Sequence, residues 1–226
     1  NIIDKFEFLC YHKTEVITMK FIQKLANERF ARHAARLMKF ACYFVICFYV
    51  LCTVLSFMGR QTFWLHTKTG TFEQAIYAEE NHESHSGSMT VHTGDDIHVW
   101  TNDNDQIDPT IQIGISFMYA IHIVPMIFAY WFLSRVFANI SKGEIFTEQN
   151  SSYLLYYGLL QFSVAVFVPF IKLLICWLIN LVSNGRMSIS TGQSMLNMLV
   201  PSIAFIVAAY IIHYGVHLQD EVDHTL

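Results

Sequence analysis

Four long apolar runs, separated by polar stretches, constrain this chain more than any other feature of its sequence. They extend over residues 37–58, 111–137, 153–182 and 195–217. Each run has the roughly 20 residues that a helix needs to cross about 30 Å of hydrocarbon. Lipid offers the backbone no hydrogen-bond partner, and runs this continuous do not alternate as barrel strands do. The sequence therefore predicts an all-α membrane protein with four transmembrane helices in contact with the lipid bilayer.

The distribution of charge predicts how these helices are oriented. Residues 19–39 carry six bases and one acid, whereas residues 59–110 carry two bases and nine acids. Lys and Arg are retained on the cytoplasmic side of a membrane. We therefore expect both termini in the cytoplasm, with residues 1–36, 138–152 and 218–226 on that side and residues 59–110 and 183–194 outside.

The N-terminal segment carries a second pattern. From Met19, a candidate start of the native chain, to Met38, apolar residues recur at nearly helical spacing with bases between them. This pattern predicts a basic amphipathic helix on the cytoplasmic leaflet, where anionic lipid attracts the bases. The alternative is a solvated extension of the first span.

The outer segment, residues 59–110, predicts a small structured region. Residues 62–78 are expected to form a short helix that leaves the membrane. Residues 88–93 and 97–101 are expected to form a β-hairpin around Gly94-Asp95-Asp96. A three-residue connection would pair Val91 with Val99 and His92 with His98, so that side chains of one kind face each other.

Four histidines of this segment are candidate metal ligands: His82, His85, His92 and His98. Zinc needs three or four convergent ligands, and the predicted hairpin brings together only His92 and His98. The alternatives are a solvated acidic loop and a pH-sensing role, because imidazoles gain charge in mildly acidic solution. We predict no cofactor other than Zn or Cu at this segment.

One basic residue lies deep inside an apolar span, far from both of its ends. Lys172 stands inside the third run, and a charge at the centre of a bilayer costs about 2.5–3.5 kcal/mol on insertion scales. His122 and Ser202 lie at similar depths in the second and fourth runs, so the three could form an intramembrane polar layer. With no acid nearby, such a layer could hold an anionic or carbonyl-bearing ligand. The alternative is that Lys172 extends outward and His122 donates to a carbonyl freed by Pro125.

Other signals of chemistry are weak. His213 and His217 are four residues apart on the last helix, a spacing that suits either a metal or interfacial anchoring. No nucleophile–base–acid set, phosphate-binding loop or helix–turn–helix motif is visible. We therefore expect a protein that is not an enzyme and does not bind nucleic acid directly.

Two stretches carry a resemblance to a known family. The first is Lys142-Gly143-Glu144-Ile145-Phe146-Thr147-Glu148-Gln149-Asn150, leading into Tyr153-Leu154-Leu155. The second is the end of the chain, Leu218 to Leu226, with its Glu-x-Asp-x-Thr-aliphatic pattern. Over residues 35–226 the chain resembles the bacterial domain-of-unknown-function 2975 family. The resemblance implies a four-helix protein of the bacterial inner membrane, in a family whose members are often encoded beside a small helix–turn–helix regulator.

The resemblance suggests a partner and a docking surface. Phe146, Thr147 and Asn150 of the second loop, with Glu221 and Asp223 of the tail, could bind such a cytosolic regulator. The alternative is that Thr147 caps the third helix and the tail acids are merely solvated. We therefore expect a sensor or membrane tether that acts with a transcription regulator and could form homo-oligomers. The second hypothesis is a small transporter, channel or bacteriocin-immunity-type protein that uses the Lys172 and His122 layer.

Overall fold

The structure, a computed structural model, describes residues 28–75, 91, 94–104, 106–190 and 195–225. Within these ranges the chain forms four long helices: α1 (Glu28–Phe57), α2 (Pro109–Ile140), α3 (Glu148–Val182) and α4 (Met195–Thr225). Each contains a segment long and apolar enough to cross a membrane. The predicted fold class, four such helices with a small β-structured segment, is confirmed.

Local sequence signals determine where α2 and α3 begin. The Asp108 carboxylate accepts a hydrogen bond from the Thr110 backbone N–H at 2.9 Å. Pro109 opens α2, where a backbone N–H would have no helical partner in any case. At α3 the Thr147 hydroxyl accepts from the Asn150 backbone N–H at 3.2 Å. The predicted cap at Thr147 is therefore present.

The basic segment at the start of α1 is continuous with the first apolar run. From Glu28 onward the chain is helical without a break as far as Phe57. Arg29, Arg32 and Arg36 thus lie on the first turns of the long helix. The earlier part of the predicted amphipathic helix, residues 19–27, lies outside the described residues.

Consecutive helices pack against one another, α1 on α2, α2 on α3 and α3 on α4. One buried cluster draws on all four helices, with members Cys42, Ala129, Leu133, Val136, Leu154, Tyr157 and Ala209. Many large apolar side chains on α1 and α4 remain exposed, among them Phe44 at 74% and Tyr210 at 70%. Exposed apolar surface of this extent is typical of helices that contact lipid.

A four-stranded sheet lies across one end of the helices. Its strands are β1 (Thr62–His66), β2 (Thr71–Ala75), β3 (Asp96–Trp100) and β4 (Met187–Ser190), in the spatial order β2-β1-β3-β4. β1 pairs with β2 and β3 with β4 in antiparallel fashion, whereas β1 and β3 are parallel. We call this end of the molecule the sheet end. The loop end is the opposite one, where residues 141–147 join α2 to α3.

One face of the sheet covers the ends of α2 and α3. Side chains alternate along the strands, so Phe63, Leu65, Ile97, Val99 and Met187 point to the same side. They form a single buried cluster with apolar side chains of the helices, namely Ile111, Ile115, Met118, Cys176 and Ile179. Burial of this apolar area holds the sheet against the helices.

The short helix predicted from residue 62 to residue 78 is wrong. Residues 62–75 form β1 and β2, connected by a turn in which the Thr67 backbone N–H donates to Gly70 O at 2.9 Å. The physical reason is the alternation Thr62-Phe63-Trp64-Leu65-His66, which buries every second residue on the sheet face. Residues 76–78 lie outside the described residues.

The predicted hairpin is also wrong, although its second strand exists as β3. Val99 pairs with Leu65 on one side and with Met187 on the other, so both edges of β3 are occupied. Val91 forms a bridge with Gln61 instead. The remaining residues of the first predicted strand lie outside the described residues. β3 pairs with β1 and β4, which are distant in sequence, because these strands together form an apolar face that packs on the helices.

Candidate functional site

Lys172 and Asp95 form a buried ion pair at the sheet end. The Lys172 ammonium of α3 donates to a carboxylate oxygen of Asp95, the residue immediately before β3. Lys172 is 6% exposed and Asp95 is 7% exposed. Lys172 lies ten residues from the end of α3 at Val182, or about 15 Å along the helix axis. The expectation of a polar layer without an acid is therefore wrong, because Asp95 forms an ion pair with the lysine.

The backbone around Asp95 explains how an acid enters this apolar region. The Val91 N–H donates to Arg60 O at 2.8 Å, and the Thr62 N–H donates to Val91 O at 3.1 Å, which fixes the chain beside β1. Gly94 adopts a φ of 75°, a conformation that L-residues with a side chain rarely adopt. β3 then follows at once. The backbone is thus fixed on both sides of Asp95, by the hydrogen bonds of Val91 before it and by β3 after it.

His122 of α2 belongs to the same region. It lies within electrostatic range of both Lys172 and Asp95. Opposite charges attract strongly where solvent is excluded, and an unpaired ion there would be costly. The arrangement can therefore lock the segment before β3 to α3, with a third titratable side chain within electrostatic range of the pair.

Ser202, the third member of the predicted layer, is bonded within its own helix. Its hydroxyl donates to Leu199 O at 2.7 Å, and its side chain is fully buried. Its backbone carbonyl lies against Gly158 of α3. The structure therefore brings Lys172 and His122 together, whereas Ser202 serves the contact between α3 and α4.

The loop end contains the residues predicted to dock a partner. Asn150 is fully buried, and its Nδ2 donates to Glu144 O at 2.6 Å and to Ile145 O at 3.0 Å. Its Oδ1 accepts from Asn139 Nδ2 at 2.9 Å. Asn150 therefore ties the loop to α2 and α3, a role that the predicted docking surface did not include.

Phe146 and the end of α4 are more accessible. The Phe146 side chain is 53% exposed and lies against Gly215 of α4. Glu221 is exposed on the last turns of α4. The side chain of Asp223 lies outside the described residues.

The described part of the chain holds one of the four histidines predicted as outer metal ligands. His98 Nδ1 lies 2.9 Å from Nε2 of His66, a residue that the sequence analysis did not single out. His82, His85 and His92 lie outside the described residues. Among the residues that are described, no group of three or more His, Cys, Asp or Glu side chains could hold a metal ion. His213 and His217 face each other on α4 with their Nε2 atoms 3.2 Å apart.

Sequence reasoning missed Asp95 because nine acids of one polar segment look alike. One signal could have found it: a lone lysine in an apolar span needs a counter-ion, and the acids of the adjoining segment are the nearest supply. A weaker signal pointed to His66: the alternation of apolar and polar residues in 62–66 indicates a strand, with His66 on its polar face.

Comparison with known proteins identifies the family. The family described as "Protein of unknown function (DUF2975)" matches residues 73–226, a range that includes Asp95, Asn150 and Lys172. No curated protein and no solved structure matches the chain. The match covers more than half of the sequence and agrees with the resemblance of the second loop and the tail. The chain therefore belongs to the DUF2975 family.

Proposed function

We propose that this chain is a bacterial inner-membrane protein that acts as a sensor or membrane tether for a cytosolic transcription regulator. The sheet end would face the outside of the cell and the loop end the cytoplasm. The basic residues on the first turns of α1 support this orientation, since Lys and Arg are retained in the cytoplasm.

The observation that carries the proposal is the buried ion pair between Lys172 and Asp95. It fastens the segment before β3 to α3, and α3 is one continuous helix from Glu148 to Val182. A ligand that disturbed the sheet would therefore act on a helix whose other end holds the loop through Asn150. Because α3 contacts the sheet end through Lys172 and the loop end through Asn150, it provides a physical connection between an outer signal and a cytosolic surface.

The surface offered to the regulator would be the loop together with the end of α4. Ile145 is 41% exposed and Phe146 is 53% exposed, so the loop presents apolar anchors. The acids at 220, 221 and 223 would attract a basic partner and speed its encounter. The regulator, and not this chain, would contact DNA.

Crosslinking and mass spectrometry of the tagged protein in native membranes test this function. We compare the wild type with a form that lacks residues 220–226 and with Phe146→Ala. A matched control is Phe72→Ala, which alters an exposed phenylalanine at the sheet end. We expect a cytosolic regulator to be captured by the wild type and the control but lost from the other two forms. Equal capture by all four forms, or no regulator in the wild-type sample, would contradict the proposal.

A second function, a small transporter, channel or immunity-type protein, is favoured by the presence of His122 within electrostatic range of the buried ion pair. Ionisable groups inside transmembrane helices often mark ion pathways and proton relays. Reconstituted vesicles separate the two functions. A proton or ion flux that His122→Gln abolishes would support transport, whereas tight vesicles and a captured regulator would support the sensor.

A further inference from the structure

The outward face of the sheet carries a compact set of aromatic rings. Since Phe63, Leu65, Ile97 and Val99 are buried, the alternate residues Trp64, His66, His98 and Trp100 lie on the opposite face. The His66 ring stacks on Trp100 with centroids 4.8 Å apart, and the His98 ring stacks on Trp64 at 6.4 Å. Both imidazoles are thus held in place by a neighbouring indole.

The two imidazoles face each other through their nitrogens. His66 Nε2 and His98 Nδ1 lie 2.9 Å apart across the parallel pair β1 and β3. Imidazole nitrogens bind Zn²⁺ at about 2.0–2.1 Å, so two adjacent ligands of one ion are about 2.9–3.4 Å apart. The observed separation is that of a hydrogen bond between the two rings, whose centroids are 5.1 Å apart. It also lies at the short end of the range for two ligands of one ion, so a modest turn of each ring would direct both lone pairs to a shared metal ion.

The second ring nitrogen of His66 also has a hydrogen-bond partner. His66 Nδ1 lies 3.0 Å from Thr71 Oγ1 of β2. A histidine that binds a metal usually donates its second ring N–H to an oxygen, which sets the tautomer and the ring orientation. With its proton on Nδ1, His66 directs the lone pair of Nε2 toward His98.

We propose that His66 Nε2 and His98 Nδ1 bind a divalent first-row transition-metal ion, with Cu²⁺ bound most tightly. Imidazole ligands suit copper, nickel and zinc, and copper leads the general order of affinity. Without metal, one proton lies between the two nitrogens. On binding, that proton moves to His98 Nε2 and both lone pairs coordinate the ion, so no net proton is released. Water completes the coordination on this partly exposed face.

The second histidine pair provides an internal control. His213 and His217 also face each other, but as exposed side chains one turn apart on α4. The double variant His213→Gln/His217→Gln removes this pair from α4 without altering any residue of the sheet. The proposed site is therefore tested in a protein that still contains the sheet histidines but lacks the helical pair.

Titration of the purified protein with Cu²⁺ alone tests the site, with tryptophan fluorescence as the readout. Bound Cu²⁺ quenches nearby indoles, and Trp64 and Trp100 stack on the two ligands. We expect saturable quenching in the wild type and in His213→Gln/His217→Gln. His66→Gln and His98→Gln should each weaken Cu²⁺ affinity at least about tenfold, and Thr71→Val about tenfold through the lost support of His66.

Electron paramagnetic resonance of the Cu²⁺-loaded protein gives an independent reading. Nitrogen hyperfine coupling is expected in the wild type and should decrease in both histidine variants. Circular dichroism establishes whether each variant is folded. If a histidine variant is not folded, the test relies on Thr71→Val, which leaves both ligands in place. An absence of saturable quenching in the wild type, or wild-type affinity in folded His66→Gln and His98→Gln, would overturn the proposal. The assay contains no regulator, so its outcome is separate from that of the signalling role.

Discussion

Lys172 of α3 and Asp95, the residue before β3, are 77 positions apart in the sequence and form a buried ion pair. The two charges compensate each other in a region from which solvent is nearly excluded. Removal of one partner would leave the other charge buried and unpaired, which typically costs about 3–5 kcal/mol. The pair therefore stabilises one particular placement of the sheet on α3.

Asn150 should be essential for the structure of the loop end. Replacing it by Ala removes three side-chain hydrogen bonds, to Glu144, Ile145 and Asn139. Leaving buried polar groups unpaired costs about 1–3 kcal/mol each, so Asn150→Ala should lower the unfolding free energy by at least about 2 kcal/mol. Thermal unfolding in detergent measures the loss.

The control for this prediction is Asn139→Ala, which removes one of the same three bonds. It should be clearly milder than Asn150→Ala. Hydrogen exchange at residues 144–147 should rise in Asn150→Ala alone. Equal stability of the two variants would show that the carbonyls of the loop do not depend on Asn150.

The contact between α3 and α4 should not tolerate a methyl group at Gly158. A Cβ at this position would lie 2.8 Å from Ile206 Cγ1 and 3.1 Å from the backbone carbonyl of Ser202. Backbone atoms cannot move aside as a flexible side chain can, so Gly158→Ala should separate the helices at a cost of about 1–3 kcal/mol. Gly70→Ala is the matched control, since its Cβ would make ordinary contacts at 3.5 Å. Unfolding temperatures that fall equally in the two variants would contradict this account.

The cap of α2 should contribute a pH-dependent part of the stability. The hydrogen bonds from Thr110 hold the pKa of Asp108 below its usual value of 3.8. A carboxyl group whose pKa is lowered by folding stabilises the protein above its unfolded pKa, and this contribution is lost as pH falls through the folded pKa. Asp108→Ala should therefore cost about 1 kcal/mol near neutral pH and clearly less once the pH falls below the lowered pKa of Asp108.

Unfolding measured at several pH values tests the cap, with Asp108→Asn as the control. Asparagine can still accept the hydrogen bond but does not titrate in this range. Its stability relative to Asp108→Ala should therefore stay constant with pH. If the difference in unfolding free energy between the wild type and Asp108→Ala increased at low pH, the prediction would be contradicted.

The sequence predicted the helices well but the sheet poorly, for physical reasons. Continuous apolar runs identify membrane helices locally, because lipid imposes the same requirement on every turn. Strand partners are set by distant chain segments. β3 pairs with β1 and with the four-residue β4 of another loop, and neither partner is visible from β3 itself.

The candidate site shows the same division. Lys172 could be recognised because a charge in an apolar span is costly. Its partner could not, because Asp95 becomes distinct from the other acids only through the turn at Gly94 and the bridge at Val91. Likewise, His98 was recognised as a candidate ligand, but its neighbour His66 depends on the parallel pairing of β1 and β3.

The most direct test of the central claim is a double-mutant cycle on the ion pair. The unfolding free energy is measured for the wild type, Lys172→Met, Asp95→Asn and the double variant, with Lys68→Met as an exposed control at the sheet end. We expect each single variant to lose about 3–5 kcal/mol and the control less than about 0.5 kcal/mol. The double variant should be no less stable than either single variant, which gives a coupling energy of at least about 3 kcal/mol. Additive losses, with no coupling between the two positions, would contradict a sheet fastened to α3 by this pair.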